Sequence, residues 1–578
     1  MRPEPDFFAV HALIPPRRRA SDGVLRFGWS MSTAETSPAA PADGVPAAAS
    51  STRLAKSAGV VGAATMTSRV LGLVREQVLA YWFGASDAMD AFLVAFRVPN
   101  LVRDLFAEGA MSAALVPTFT RALTTEGRAR AWQLGNSVMN ALAIVTSLFV
   151  AGAVLFAPAI VHGLAGDYAA VPGKFELTVT LTRVMTPFLV LVAIASACMG
   201  MLNSLNVFFV PALAPAMFNV ASIAVGIGLV PLAMRAGIEP ILAMAVGTLV
   251  GGAGQILLQW PVLRREGYRY APTLDLHDPG LRQVLVLMGP GVIGLAATQV
   301  NVFVNTIVAT GQGTGAVSWL GYAFRVMYLP IGLFGVSIAT ATTPALSRLV
   351  AAGNQPAMRG TLASAVALML TLNVPATCGL VVLATPIVRL LFERGSFTAA
   401  DTAATASAVQ FYALGLVGYS VVKILSPAFY ALGRSRVPAS VGVASVLLNT
   451  ALSYSLAPYL GYRGIALSAS IAALFNAGTL AVLLRRALDG LHLERIAATF
   501  VRIVAASAAM SAVAWWGDAW LEAAWPGRAL AAQVLRLAIV IGMSLVVLAA
   551  SAQVLRIREF EDVRDGVVGR VRRLLARR

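Results

Sequence analysis

Eight charged side chains lie inside two stretches that are otherwise apolar enough to cross a membrane. The stretches are residues 57–82 and 88–120, and the charges are Arg69, Arg75, Glu76, Asp90, Arg97, Arg103, Asp104 and Glu108. A charge at the centre of a bilayer helix costs at least about 2.5–3.5 kcal/mol. Such groups persist where they face a watery cavity, one another or an anionic ligand. Guanidinium groups suit an anion, because their planar fork matches phosphate oxygens in pairs.

The spacing of these residues describes a chamber. Thr65, Arg69, Gly72 and Glu76 follow i, i+4, i+7, i+11 and share one helix face. Asp90, Arg97, Asp104 and Glu108 follow i, i+7, i+14, i+18 and share another. The opposite faces are Leu, Val, Ala and Phe, which suit lipid. Arg75 and Arg103 lie off both stripes, near a membrane surface or on a neighbouring wall. The competing reading is an internal set of ion pairs that fixes helix packing.

Composition defines the solvent of the chain. Hydrophobic residues make up 58% and charged residues 12% of 578 residues, with a mean hydropathy of +0.76. This is an all-α polytopic membrane protein rather than a soluble core. A formal charge of +17 does not imply nucleic acid, because the basic residues fall mostly between apolar segments. The two cysteines, Cys198 and Cys378, lie within apolar spans and make neither a disulfide framework nor a zinc pattern. The four histidines are scattered, so no metal site and no cofactor is expected.

Residues 1–53 form an N-terminal extension. It lacks a signal-type apolar region and carries PPRRR and then a Pro/Ala/Ser-rich run, so disorder is expected. Met31 is an alternative start. From residue 57 onward about fourteen spans of transmembrane length follow. After the first two they lie near 132–159, 177–202, 211–234, 239–263, 284–310, 315–343, 361–385, 403–430, 437–459, 463–484, 496–517 and 528–553. With the N-terminus cytoplasmic, the inner connections hold Arg121, Arg128, Arg130, Arg264, Arg265, Arg269, Arg282, Arg348, Arg359, Arg434, Arg436, Arg485, Arg486 and Arg495. The outer connections hold Asp87, Asp167, Glu176, Glu239, Glu393, Asp401, Asp518 and Glu522. That asymmetry is the positive-inside bias, and it places both termini in the cytoplasm.

The chain also repeats. Ala95-Phe96-Arg97-Val98 recurs as Ala323-Phe324-Arg325-Val326, Pro117 to Arg121 as Pro344 to Arg348, and Val210-Pro211-Ala212 as Val437-Pro438-Ala439. The offset is about 227 residues each time, which points to duplication of a six-helix unit with a site between the copies. The division expected is an N-lobe at 54–265, a C-lobe at 266–486, an accessory helix pair at 487–555 and a basic cytoplasmic tail at 556–578. Span eight then faces span two, with Ser318, Tyr322 and Arg325 at i, i+4, i+7 on one face. Each lobe so offers an arginine, Arg97 and Arg325, to the shared interface.

Other in-span polar groups have plainer readings. Asn301, Asn305 and Asn449 read as interhelical hydrogen bonds. Arg183 and Lys423 are further in-membrane cations, either snorkelling or functional. The run from Gly247 to Gly254 reads as close helix packing, and the tryptophans near span ends read as an interfacial belt.

A cationic chamber inside a membrane prefers a bulky anion such as diphosphate. A lipid-linked diphosphate would also use the two extra helices, with arginines for the head and an apolar groove for the tail. No Walker loop, nucleophile elbow or Asp-rich metal cluster competes, so an enzyme is not expected. The alternatives are a flippase for another polyprenyl-linked oligosaccharide, an ion-coupled drug exporter, or a membrane scaffold for wall enzymes.

SRVLGLVRE, FGASDAMDAF, FRVPNLVRDLFAEGAMSAALVPTF, VSWLGYAFRVMYLP and VVKILSPAFYALG, in that order, resemble the MviN/MurJ lipid II flippases of the multidrug/oligosaccharidyl-lipid/polysaccharide exporter superfamily. The resemblance runs from about residue 54 to about 555. It implies two six-helix lobes in a V around a central cationic cavity, plus two C-terminal helices. It also implies alternating access that moves undecaprenyl-pyrophosphate-linked peptidoglycan precursor between leaflets of the bacterial inner membrane for wall synthesis. The family's head-group residues fall on Arg69, Arg75, Asp90, Arg103, Ser318 and Arg325. With the stripes, the expected substrate-binding set adds Arg97, Glu108 and Tyr322. Expected partners are lipid II, membrane lipids and peptidoglycan synthesis proteins, with no nucleic acid, and a monomer is expected. The chain departs from the family at Asp104, where many relatives have a second arginine, and at Phe324, where many have an acid.

Overall fold

The computed structural model describes residues 47–105, 111–527, 529–561 and 564, and among these it is helical throughout with no strand. Contacts divide the chain after Ala55, and Lys56–Arg578 form one compact unit. Each expected span corresponds to a helix or to a helix with a break. The first are α1 (Ala47–Phe83), α2 (Asp87–Leu105) and α3 (Met111–Thr125). Then come α4 (Arg128–Leu155), α5 (Ala157–Ala165), α6 (Lys174–Met185), α7 (Phe188–Ser204), α8 (Phe209–Arg235) and α9 (Pro240–Arg265). The second half holds α10 (Pro279–Thr310), α11 (Ala316–Pro330), α12 (Val336–Ala351), α13 (Gln355–Val382) and α14 (Ala384–Phe392). It continues with α15 (Ala399–Ala413), α16 (Leu416–Ala431), α17 (Arg436–Leu460) and α18 (Tyr462–Ala487), and closes with α19 (Leu493–Ala524) and α20 (Leu530–Val554).

Among the described residues ten helices are long and apolar enough to cross a membrane, or eleven if α15 and α16, bent by 42°, count as one span. The expected spans outside that set are α1, α2 with α3, and α10. For α2 the polar content explains this. Asp87, Asp90, Arg97, Arg103 and Asp104 all fall within the nineteen residues of α2. The apolar surface points outward, as lipid allows: Leu148, Ile227, Leu257, Trp515 and Val546 are all exposed. The buried polar groups therefore mark the functional interior better than the buried apolar ones.

Helices α2–α9 pack mainly on one another, and α11–α18 do the same, with α10 against α2, α3 and α5 on one side and α17 on the other. The closest packing is α8 on α9. The small residues of α9 do their expected work: an added carbon at Gly251 would meet Phe218 of α8, and one at Gly252 would meet Leu191 and Phe188 of α7. The Asn449 amide donates to Asn301 Oδ1 at 2.6 Å and to Asn305 Oδ1 at 2.7 Å. That is the interhelical hydrogen bonding expected of these residues, here between α10 and α17.

The connection between the halves is strapped to α4. The Arg130 guanidinium forks onto Asp278 at 2.9 and 2.7 Å. Asn140 donates to the carbonyls of Ala271 and Thr273, and Tyr268 donates to Asn136 at 2.6 Å. Trp132 and Trp260 pack on the Tyr268 ring at 5.3 and 5.6 Å rather than standing as belt residues. Trp515, Trp516, Trp520 and Trp525 are exposed, as a belt would be. Helices α19 and α20 pack on α13 and α14, and Glu559 returns to Arg495 at 2.9 Å.

Candidate functional site

A cavity of about 360 Å³ opens between the helices that carry the arginines. Its walls include Gly72 and Arg75 of α1, Arg103 of α2, Phe218 and Asn219 of α8, Gln259 of α9, and Arg325 of α11. Two arginines thus come from the first half and one from the second. Arg75 stands over the Phe218 ring at 5.1 Å, an arrangement that holds a cation in a poorly solvated place.

Glu76 is buried at 2% exposure and organises the cluster. Its Oε1 accepts from Arg75 Nη2 at 2.6 Å and lies 3.0 Å from Arg325 Nη2. Arg103 is close enough to act on Arg75 electrostatically. Three guanidiniums and one buried carboxylate thus meet at the cavity. Among the described residues, Arg75 Nε is buried without a hydrogen-bond partner. A buried orphan donor costs about 1–3 kcal/mol unless something accepts from it, and an entering oxyanion would.

A second polar cluster lies at one end of the bundle and ties the halves together. Asp90 is fully buried. It accepts from the Ser318 hydroxyl at 2.6 Å, the Ser318 amide at 3.0 Å and the Gly315 amide at 2.7 Å. Lys174 of α6 lies 3.1 Å from Asp90 and 2.6 Å from Asp87, with its ammonium 4.1 Å from the Tyr168 ring centre. Thr314 donates to Asp87 at 2.7 Å. Tyr322 donates to the Gly84 carbonyl at 3.2 Å and packs its ring on Phe392 and Phe397. Beside it two loops interlock. Gly84 and Gly395 both have positive φ, 59° and 60°. A side chain at Gly84 would strike the Ser396 carbonyl, and one at Gly395 the Tyr81 carbonyl. Only glycine fits both the conformation and the approach.

The expected residues therefore divide into groups. Arg75, Arg103 and Arg325 surround the cavity. Asp90, Ser318 and Tyr322, expected to meet substrate, hold one another and Gly84 in the second cluster. The reason is that the α11 N-terminus offers its free amides to Asp90. Arg69 reaches from α1 to Gly332. Arg97 lies near Tyr412 of α15, while its repeat partner Arg325 reaches Glu76. Glu108 lies outside the described residues. Lys174 was not singled out by sequence, since it stands at the start of a span and reads as a surface cation. No cluster of three His, Cys, Asp or Glu side chains suited to a metal occurs among the described residues.

The family model for "Lipid II flippase MurJ" matches residues 79–535. The chain belongs to the MurJ lipid II flippase family. Among the curated MurJ relatives, a "Lipid II flippase MurJ" from Burkholderia cenocepacia is 34% identical over 430 residues, covering 73% of this chain and 82% of the relative. A "Probable lipid II flippase MurJ" from Rhizobium meliloti is 35% identical over 473 residues, covering 81% and 87%. Among solved structures, "Lipid II flippase MurJ, inward closed conformation" superposes with a TM-score of 0.70 at 24% identity, covering 86% of this chain and 99% of that one. An inward-facing multidrug MATE transporter of the MOP superfamily superposes with a TM-score of 0.63 at 16% identity. These likenesses show that the chain shares its fold with both structures.

Proposed function

We infer that this chain flips lipid II, the lipid-linked peptidoglycan precursor, across the inner membrane of a bacterium. The observation that carries this reading is the Arg75–Glu76–Arg325 cluster beside Arg103, built from both halves around one cavity. Its arginines outnumber its single carboxylate, which suits a doubly esterified diphosphate. Guanidinium forks pair with phosphate oxygens, while α19 and α20 offer apolar surface for a polyprenyl chain.

The cycle follows from the seal. With the arginine-rich ends of the helices toward the cytoplasm, the Asp90–Ser318 seal lies at the outer face. The cavity then communicates with the inner leaflet. The two six-helix units, 54–265 and 266–486, act as lobes. Parting the seal while the inner ends approach moves the head-group outward. Both termini lie in the cytoplasm, the protein works as a monomer beside peptidoglycan synthesis proteins, and no covalent catalysis is involved. The arginines bind and release; they transfer no group.

Complementation tests this. Cells depleted of their own lipid II flippase grow on the wild-type chain. They fail on Arg75→Ala or Arg325→Ala forms that reach the membrane in equal amount. Growth on both alanine forms would refute the assigned role of the arginines.

A further inference from the structure

Between α11 and α12 the helix passes through a single π turn, Ile331–Gly335. Such turns are rare and recur at functional sites. Here the turn receives two cations. A carbon added at Gly332 would run into the Arg69 guanidinium, which arrives from α1. A carbon added at Gly335 would lie 3.7 Å from Lys423 Cδ of α16 and 3.4 Å from Ser420 Oγ. Gly332 and Gly335 belong to the same turn, so an ammonium from one half of the chain and a guanidinium from the other converge on it. The Arg69 charge acts directly on Lys423.

Neither cation has a carboxylate within ion-pair distance among the described residues. This contrasts with Arg75 and Arg325, which share Glu76. Lys423 is half-buried, and the neighbouring Ser420 hydroxyl is committed to Asn373 Oδ1 at 3.1 Å. Two like charges brought together at bilayer depth repel and are costly to desolvate. Arg69 and Lys423 are also absent from the wall of the 360 Å³ cavity, so they form a separate cationic place.

We propose that Arg69 and Lys423 form a second anion subsite, which takes a carboxylate from the peptide part of the head-group whose diphosphate sits on Arg75, Arg103 and Arg325. This rests on the flippase reading above. The ligand chemistry is an oxyanion held between a guanidinium and an ammonium. One diphosphate occupies the first cluster, and the remaining anionic groups of a sugar–peptide head-group are peptide carboxylates. Arg69 is exposed, so a phospholipid phosphate from the surrounding leaflet is the other possible source of the oxyanion. Recognition in two places would tie head-group selection to both halves at once, since Arg69 belongs to α1 and Lys423 to α16.

Native mass spectrometry on the full chain in detergent separates these sources. The probes are lipid II, the same polyprenyl diphosphate disaccharide without its peptide, and phosphatidylglycerol. Lys423→Gln weakens lipid II binding about tenfold and leaves the peptide-free lipid unchanged. Lys423→Arg restores lipid II binding, which excludes misfolding. Arg325→Gln weakens both diphosphate lipids. The subsite is overturned if Lys423→Gln weakens both diphosphate lipids equally, weakens neither, or removes only phosphatidylglycerol. If the wild-type chain binds neither diphosphate lipid above phosphatidylglycerol, the flippase reading itself fails, and the subsite with it.

Discussion

Arg325 of α11 sets its Nη2 3.0 Å from Oε1 of Glu76, a buried carboxylate of α1 that Arg75 also holds at 2.6 Å. The bond joins the two halves of the chain through one acid. Under the proposed function it also tunes the cavity: removing Glu76 would add one positive charge to the site that the diphosphate enters. In that reading Glu76 keeps the arginines close together while the cavity is empty and still leaves a cationic site for the anion.

Glu76→Gln should therefore tighten binding and slow release. The expected gain for a polyprenyl diphosphate is about tenfold in Kd, which corresponds to roughly 1.4 kcal/mol, with growth impaired in the complementation assay. Titration by native mass spectrometry measures the affinity. Weaker binding in the Gln form, at unchanged folding, would mean that Glu76 contacts the ligand favourably or that the arginines need it for their positions.

Lys174 lies at the centre of the cluster proposed as the outer seal. It sits between Asp87 and Asp90 over the Tyr168 ring, and Asp90 in turn holds Ser318 and Gly315. Removing one partner of a buried pair leaves an uncompensated charge, at a cost of about 3–5 kcal/mol. Lys174→Met should loosen the contact between α2 and α11. A cysteine at Val317, which is 3% exposed, should resist an aqueous thiol reagent in an otherwise cysteine-free background. With Lys174→Met it should become labelled, and with Lys174→Arg it should stay protected. Protection in the Met form would assign the seal to the glycine loops and the Tyr322 aromatic cluster instead.

Periodicity accounts for what was legible here and for what was not. The i, i+4, i+7 rule correctly grouped Gly72 with Glu76, because it reports the face of a single helix. It says nothing of the partner on that face, so Asp90 and Ser318 read as cavity residues although they bind each other. Arg75 and Arg103 read as off-stripe, yet both reach the cavity, because an arginine side chain is long enough to turn a corner that a helical wheel cannot show. The Gly247–Gly254 run and the interhelical hydrogen-bonding role of Asn301, Asn305 and Asn449 were legible, though not which partner each takes, since small residues and amides in lipid have few other uses. Breaks at Pro187 and at Leu414–Gly415 split expected single spans into α6 with α7 and α15 with α16. Length and hydropathy alone do not register a bend.

Asp278 gives a pH-dependent stability term outside the membrane spans. Burial favours its neutral acid. The Arg130 fork and the Gly280 and Leu281 amides outweigh burial and hold the carboxyl below its ordinary range. A depressed folded-state pKa means the stabilisation is complete above the unfolded value near 3.9 and is lost as pH falls through the folded value. Asp278→Asn should lower stability by about 2 kcal/mol at pH 7, the order of one charge-assisted hydrogen bond. The gap between the two proteins, read as thermal midpoints in detergent, should shrink below about pH 4. A gap that persists unchanged at pH 3 would show that the shape of Asp278 at the α10 N-cap matters rather than its charge.

Gly332→Ala separates stability from function. Alanine favours a helix interior over glycine by about 1 kcal/mol, so the substitution would ordinarily stabilise. At Gly332, however, the new methyl meets the Arg69 guanidinium, and the cation must leave the π turn. Gly442 of α17 provides the comparison, because nothing lies within 4 Å of a carbon added there. Gly442→Ala should therefore support growth in place of a depleted flippase as well as the unaltered chain does. Gly332→Ala should reach the membrane in equal amount and hold its thermal midpoint, yet fail to sustain growth or sustain it poorly. Equal growth on both alanine forms would show that the Arg69 approach to the turn is incidental to transport.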